Sequence, residues 1–229
     1  MSRQMKNMAG RIPSRENFAR AASAALALAL LSIPASAHPH VWVAVRSEVL
    51  FAADGRIKGV RHAWTFDEMY SAFALQGLGK DGKPPTREEL APLAKTNVES
   101  LAEFDYFTFA KHNNAKASFA PPEDFWLEAD DKKIVTMHFT LPLETPLAAQ
   151  KPFSFQVYDP TYFVSFGFEK QNPVTLGQQA PAGCSAGLHE PKPLVTTDTQ
   201  KLSEAFFNNM SPGADFGVKL ATRVVVACP

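Results

Sequence analysis

Cysteine is scarce in this sequence. Only two of the 229 residues are cysteines, Cys184 and Cys228, and both lie near the end of the chain. A cysteine-based zinc site needs closer ligand spacing than this pair offers. In an exported protein two such cysteines are typical of a disulfide, because the periplasm is kept oxidising. We therefore expect a disulfide between Cys184 and Cys228 if the chain is exported.

An apolar run long enough to cross a bilayer, about 20 residues, is also absent. The apolar run at residues 21–33 is shorter, follows five basic residues and precedes Ala35-Ser36-Ala37. A basic start, a short apolar run and an Ala-x-Ala site are the three parts of a secretory signal peptide. We predict cleavage after Ala37, which leaves a mature chain of residues 38–229. The same pattern also fits an uncleaved amphipathic anchor.

Charge of one sign is not in excess. The chain has 23 basic and 23 acidic residues, and residues 38–229 keep 18 and 22 of them, a net charge of −4. A mildly acidic chain lacks the basic surface that binds nucleic acid or anionic membranes. We expect a soluble mature protein that binds no nucleic acid and does not insert into the membrane.

Familiar catalytic motifs are missing as well. The sequence contains no Gly-x-Ser-x-Gly elbow, no phosphate-binding loop and no His-Glu-x-x-His pair. Nothing in the residues predicts an enzyme.

Hydrophobic periodicity predicts an α+β fold. Strand-like runs at residues 41–51 and 56–66 flank an Asp54-Gly55 turn, which indicates a hairpin. Thr65 and Glu68 have the spacing of a capping box before a helix at 69–75. A second helix is predicted from Thr86 to about Glu103, with an inner face of Leu90, Leu93, Val98 and Leu101.

Beyond Tyr106 the period changes to two. Short strand-like runs are followed by a proline-rich connection at residues 173–193, a helix at about 198–210 and a last strand at 217–228. Strands, two helices and then more strands indicate mainly antiparallel sheets in a single mature domain.

The predicted new N-terminus, His38-Pro39-His40, carries the strongest chemical signal. The terminal amine and the His38 imidazole can chelate one metal, and nitrogen donors suit nickel, copper and zinc. The imidazole of His40 is a further nitrogen donor. A site that instead uses backbone amide nitrogens is disfavoured, because Pro39 has no N–H to lose. Alternatively, His40 simply starts a strand.

Other candidate ligands are weaker. His138 falls on the polar face of a predicted strand, while His62 is better explained as a hydrogen-bonded strand histidine. Asp159 precedes Pro160, as at the start of a type I turn, and we favour that role over ligation. If the N-terminus is no ligand, then His62, His138 and Asp159 become the alternative site. His112 and His189 are expected at the surface.

Several segments resemble the DUF1007 family over essentially the whole mature chain. They begin at His38, Trp64, Phe104, Tyr158 and Arg223, and read His-Pro-His-Val-Trp-Val, Trp-Thr-Phe-Asp-Glu, Phe-Asp-Tyr-Phe-Thr, Tyr-Asp-Pro-Thr-Tyr-Phe-Val and Arg-Val-Val-Val-Ala-Cys. The resemblance implies a periplasmic component that accompanies nickel/cobalt or zinc permeases. It places His38, His40, Trp42, Asp67 and Asp159 in the matched motifs and implies no catalytic residue.

The leading hypothesis is therefore a periplasmic protein that handles a divalent transition metal, namely nickel, cobalt, zinc or copper. Its expected partner is an inner-membrane permease or ABC-type transporter. The expected metal ligands are His38, His40, His138 and Asp159. Two alternatives remain, a copper enzyme with a histidine brace and an accessory subunit that binds no metal.

Overall fold

Two β-sheets and three α-helices make up the part of the chain that the computed structural model describes, which is residues 39–79, 82–207, 213 and 216–229. The strands are β1 Val41–Phe51, β2 Ile57–Phe66, β3 Thr108–His112, β4 Ala115–Ala117, β5 Glu123–Ala129, β6 Val135–Leu147, β7 Phe153–Val157, β8 Val164–Phe168, β9 Val174–Leu176, β10 Ser185–His189 and β11 Arg223–Ala227. The helices are α1 Glu68–Ala74, α2 Arg87–Leu101 and α3 Thr196–Phe207, with short 3-10 helices at Ala102–Phe107 and Gly217–Lys219.

The larger sheet is built around the predicted hairpin of β1 and β2. Gly55, at a φ of 79°, provides the left-handed turn residue between the two strands. The strand order is β5-β6-β2-β1-β8, and β9 also pairs with β1. Both β8 and β9 run parallel to β1, whereas the other pairings in this sheet are antiparallel.

The smaller sheet is antiparallel, in the order β10-β11-β7-β3-β4. Ser185 at the start of β10 pairs with Ala227 at the end of β11, so the residues just beyond them also face each other. These are Cys184 and Cys228, which form a disulfide with a Cα–Cα distance of 4.1 Å. The predicted disulfide is confirmed.

The inner faces of the two sheets meet in one hydrophobic core. Trp64 of the larger sheet packs edge to face on Phe139, and Phe153 and Phe155 enter from the smaller sheet. Helix α2 adds Leu90, Ala94 and Val98, in agreement with the apolar period of its sequence. The predicted α+β class with mainly antiparallel sheets and one disulfide is confirmed.

The first helix begins differently from the prediction. Thr65 lies on β2 and does not cap α1; Asp67 is the N-cap, and its carboxylate accepts the Tyr70 N–H. The capping box from Thr65 to Glu68 was therefore wrong, because strand pairing carries the chain as far as Phe66. The second helix, α2, begins where it was predicted, after Thr86, and ends at Leu101. Thr86 and Glu89 form a capping box at its start.

The tail also needs correction. The proline-rich connection contains two short strands, β9 and β10, which take their hydrogen bonds from β1 and β11. The last strand is confined to Arg223–Ala227, because a 3-10 turn occupies Gly217–Lys219. Helix α3 is described to Phe207, so its predicted end at Met210 lies outside the described residues.

Candidate functional site

The start of β1 lies in the larger sheet between β2 and β8. Even-numbered side chains of this strand point away from the core, which places His40, Trp42 and Arg46 on the outward face. Trp42 is 46% exposed. His38, the other half of the predicted chelate, lies outside the described residues. The structure therefore places one of the two N-terminal histidines at the edge of an exposed face.

His40 is held by the loop before β8. Its backbone N–H donates to the Phe163 carbonyl at 2.8 Å, which extends the parallel pairing of β1 with β8 by one step. The imidazole lies against the Phe163 ring, with 4.6 Å between ring centroids. Phe163 is itself 47% exposed. The pair of His40 and Phe163 therefore lies at the surface, at this end of the larger sheet.

Asp67 holds the start of β1 from the side opposite β8. One carboxylate oxygen accepts the Trp42 backbone N–H at 2.8 Å and the other accepts the Tyr70 N–H at 2.9 Å. The Asp67 N–H in turn donates to the Trp42 carbonyl at 3.0 Å. The Asp67 carboxylate thus joins β1 to the first turn of α1. This role is structural.

Asp159 shapes the loop that carries Phe163. Its carboxylate is buried, with 5% of the residue exposed, and accepts hydrogen bonds at 2.8–3.0 Å from the Thr161 N–H and hydroxyl and from the N–H groups of Phe163 and Val164. Gly217 packs directly on the Asp159 carbonyl, where a Cβ would find no room. The favoured turn role of Asp159 is confirmed, and its part in metal binding stays a prediction.

His138 lies on the same outward face, on β6. Its ring stacks on Trp126 at 4.5 Å and 7° between planes, and its Nε2 is 2.9 Å from the Glu128 Oε1. The Arg87 guanidinium covers an indole face at 4.3 Å from the centroid. His138 thus belongs to a stacked cluster on β5 and β6, and its role as a ligand stays a prediction.

His62 points inward and joins the two sheets. The Thr108 hydroxyl donates to the Tyr106 carbonyl at 2.9 Å, so the Thr108 oxygen accepts from the His62 Nε2–H at 3.3 Å. The Nδ1 atom is then left to accept from the Ser47 hydroxyl at 2.9 Å. Complete burial lowers the pKa of His62 to about 3, so the ring is neutral. The prediction of a hydrogen-bonded strand histidine is confirmed.

The alternative site of His62, His138 and Asp159 does not assemble. His62 is paired with Phe139, the residue next to His138 on β6. Because successive side chains of a strand point to opposite faces of the sheet, His62 faces the core and His138 faces outward. Within the described ranges, no three His, Cys, Asp or Glu side chains are grouped so that they could hold a metal ion. His112 bonds the Ala148 carbonyl, and His189 is exposed at the end of β10.

A shallow groove of about 660 Å³ runs along the outward face from Trp42. Its floor is made of small side chains, including Ala44, Thr65 and Gly167, and Arg46 and Glu169 line it farther along β1. These two charged groups approach to 3.9 Å. The groove was not predicted from the sequence, although the small residues that form its floor follow the strand alternation.

The comparisons with known proteins give the family. A sequence model of the family described as "Protein of unknown function (DUF1007)" matches residues 23–228, and the chain belongs to this family. An uncharacterized protein of Haemophilus influenzae is 24% identical over 200 residues, which cover 86% of this chain and 94% of that one. An uncharacterized 15.5 kDa protein of Spirochaeta aurantia is 33% identical over 89 residues, or 39% of this chain and 63% of its own length.

No helix in the described part of the chain has both the length and the apolar character to span a membrane.

Proposed function

We propose that this protein is exported to the periplasm and handles a divalent transition metal for an inner-membrane permease or ABC-type transporter. The observation that carries the proposal is the placement of His40. Its backbone is fixed to Phe163, and its side chain lies on an exposed face at the start of β1. Cleavage after Ala37 would leave only two residues ahead of this position.

The donor chemistry suits such a metal. His40 contributes one imidazole, and a chain beginning at His38 adds a second imidazole and an amine, giving up to three nitrogen donors within three residues. Nitrogen donors of this kind bind nickel, cobalt, zinc and copper, with the affinity order favouring copper. The carboxylates of Asp67 and Asp159 hold the backbone around this point. Metal ligation by Asp159 and His138 stays a prediction.

Export is supported by the disulfide. A bond between Cys184 and Cys228 persists in an oxidising compartment and is rare in the cytosol. The basic and apolar start of the chain gives a route to that compartment through a cleaved signal peptide.

A metal-free accessory subunit is the second candidate, and one observation favours it. Trp42 and Phe163 are both about half exposed at one end of the larger sheet. Aromatic side chains are enriched in protein–protein interfaces, and exposed apolar patches often mark such interfaces. In this case the His40 end of the sheet would bind the permease directly.

Titration of the mature protein with nickel, zinc and copper by calorimetry separates the two candidates. We expect saturable binding that weakens by at least about tenfold in His38→Ala, in His40→Ala and in a variant with one glycine added before His38. The extension acts by displacing the terminal amine. His189→Ala, which changes an exposed histidine on another sheet, is the matched control and should bind like the parent protein.

Equal affinity in the extended and the unextended protein would end the chelate proposal. Absence of binding for all three metals would favour the accessory subunit. Binding should also weaken on acidification, because only the neutral imidazole ring ligates a metal.

A further inference from the structure

The outward face of the smaller sheet carries a second cavity, of about 440 Å³. Strands β3, β4, β7 and β11 all contribute side chains to its lining. The volume falls in the range of about 300–1,000 Å³ that small organic ligands occupy in proteins. It is a place where a small molecule would fit.

Three cationic side chains line this cavity. Lys111 on β3 is directly opposite Lys116 on β4, and Arg223 lies two strands away on β11. Like charges on directly opposed strand positions repel one another. Asp105 and Glu144 also line the cavity, yet none of the ion pairs within 4.0 Å among the described residues involves any of the three cations. An anion placed between them would relieve the repulsion.

One wall of the cavity is aromatic. Phe109 and Tyr158 stack at 4.4 Å and 29°, and both line the cavity. Between this wall and the cations lie the polar side chains of Ser154 and Gln156. The Gln156 Nε2 donates to the Ala221 carbonyl at 3.1 Å, which fixes the orientation of that amide. An apolar wall beside cations and fixed polar groups suits a ligand with a flat ring and a negative group.

The backbone at the rim is strained. Asp105, Tyr106 and Phe107 have φ values of 51°, 52° and 46°, a run of left-handed residues without a glycine. Such strain persists where the surrounding structure holds it, often at ligand sites. Here the Thr108 hydroxyl holds the Tyr106 carbonyl from the core side, so the rim is fixed before any ligand arrives.

We propose that this cavity binds a small organic anion that carries a planar ring, with Lys111, Lys116 and Arg223 pairing with the anionic group and Phe109 contacting the ring. The site is separate from the proposed metal chelate, so it stands or falls independently of that function.

Benzoate and benzamidine provide matched probes, since both have one ring but opposite charge. Amide NMR spectra of the disulfide-bonded protein should show saturable shifts with millimolar benzoate, concentrated on β3 and β7. We expect benzamidine to bind at least about tenfold more weakly, and acetate, which lacks the ring, to bind more weakly than benzoate.

The Lys111→Gln/Arg223→Gln double variant should lose at least about tenfold in benzoate affinity. Phe109→Leu should reduce the preference of benzoate over acetate. Lys58→Gln, an exposed lysine on β2, is the matched control and should bind benzoate normally. Thermal unfolding of each variant checks that the fold is intact. The proposal is overturned if benzoate does not saturate, if benzamidine binds equally well, or if the folded double variant keeps the parent affinity.

Discussion

Histidines occur on both faces of the larger sheet, and the two faces use them in opposite ways. On the inward face His62 is fully buried and both ring nitrogens have hydrogen-bond partners. On the outward face His40 and His138 lie against aromatic rings at the surface. The same side chain therefore joins two sheets in one place and lies against an aromatic ring on the outer face in the other.

Burial is the physical cause of the difference. A charged imidazole in the core would lose its hydration, which is why the pKa of His62 falls and its neutral form persists. The His138 side chain is 20% exposed, and its Nε2 lies 2.9 Å from the Glu128 Oε1. Position on the alternating strand decides which histidine is buried in the core and which lies on the outward face.

The largest expected effect comes from removing the inward histidine. His62→Phe keeps an aromatic ring at this position, although a somewhat larger one. It leaves the buried Ser47 hydroxyl without its acceptor and removes the bond to Thr108. We expect a loss of about 3 kcal/mol in the free energy of unfolding, measured by urea denaturation with the disulfide intact.

Adding Ser47→Ala to His62→Phe should recover part of that loss, because replacing both partners of a buried hydrogen bond costs less than removing one. If the double variant is less stable than His62→Phe, then the buried hydrogen bond does not explain the loss.

Acidification should give the next largest effect. The unfolded chain binds a proton on His62 near the ordinary pKa of 6.5, whereas the folded chain resists it down to a pKa of about 3. Stability therefore falls as the pH drops from 6.5 towards 3, by about 2 kcal/mol at pH 5. Urea unfolding at pH 7.5 and at pH 5 measures it. His62→Gln should lose this component, and an unchanged pH dependence in that variant would assign it to other groups.

The outward histidine should give the smallest effect. His138→Leu removes a stacking contact and a partly exposed pairing with Glu128, so the free energy of unfolding should change by less than about 1 kcal/mol. The comparison is with His62→Leu under the same conditions. Similar losses for the two variants would mean that the faces do not differ as described.

Local patterns were enough for much of the fold. The hairpin of β1 and β2, the start of α2 after Thr86 and the disulfide follow from strand alternation, helical periodicity and the number of cysteines. The parallel pairing of β1 with β8 and β9 could not be predicted, since no local signal records which distant strand completes a sheet. The same reason explains why β9 and β10 were read as a proline-rich connection.

The candidate site was predictable only in part. Asp159 was expected in a turn because proline follows it, and the four hydrogen bonds of its carboxylate agree. The N-cap of α1 was predicted at Thr65 and lies at Asp67, since the extent of β2 depends on its partner strands. The positive φ values of Asp105–Phe107 at the edge of the second cavity could not be predicted, because no glycine in this segment indicates a left-handed backbone.

The position of β1 between β2 and the parallel strands β8 and β9 has a kinetic consequence. Val41 pairs with Val164, across more than half of the chain, so the loop that joins them must close before the larger sheet is complete. Non-local strand pairing of this kind slows folding, because the entropy of loop closure is lost before the contacts form. Until β8 pairs with β1, the β1 edge has unpaired backbone groups, and such an edge favours pairing with other chains and aggregation.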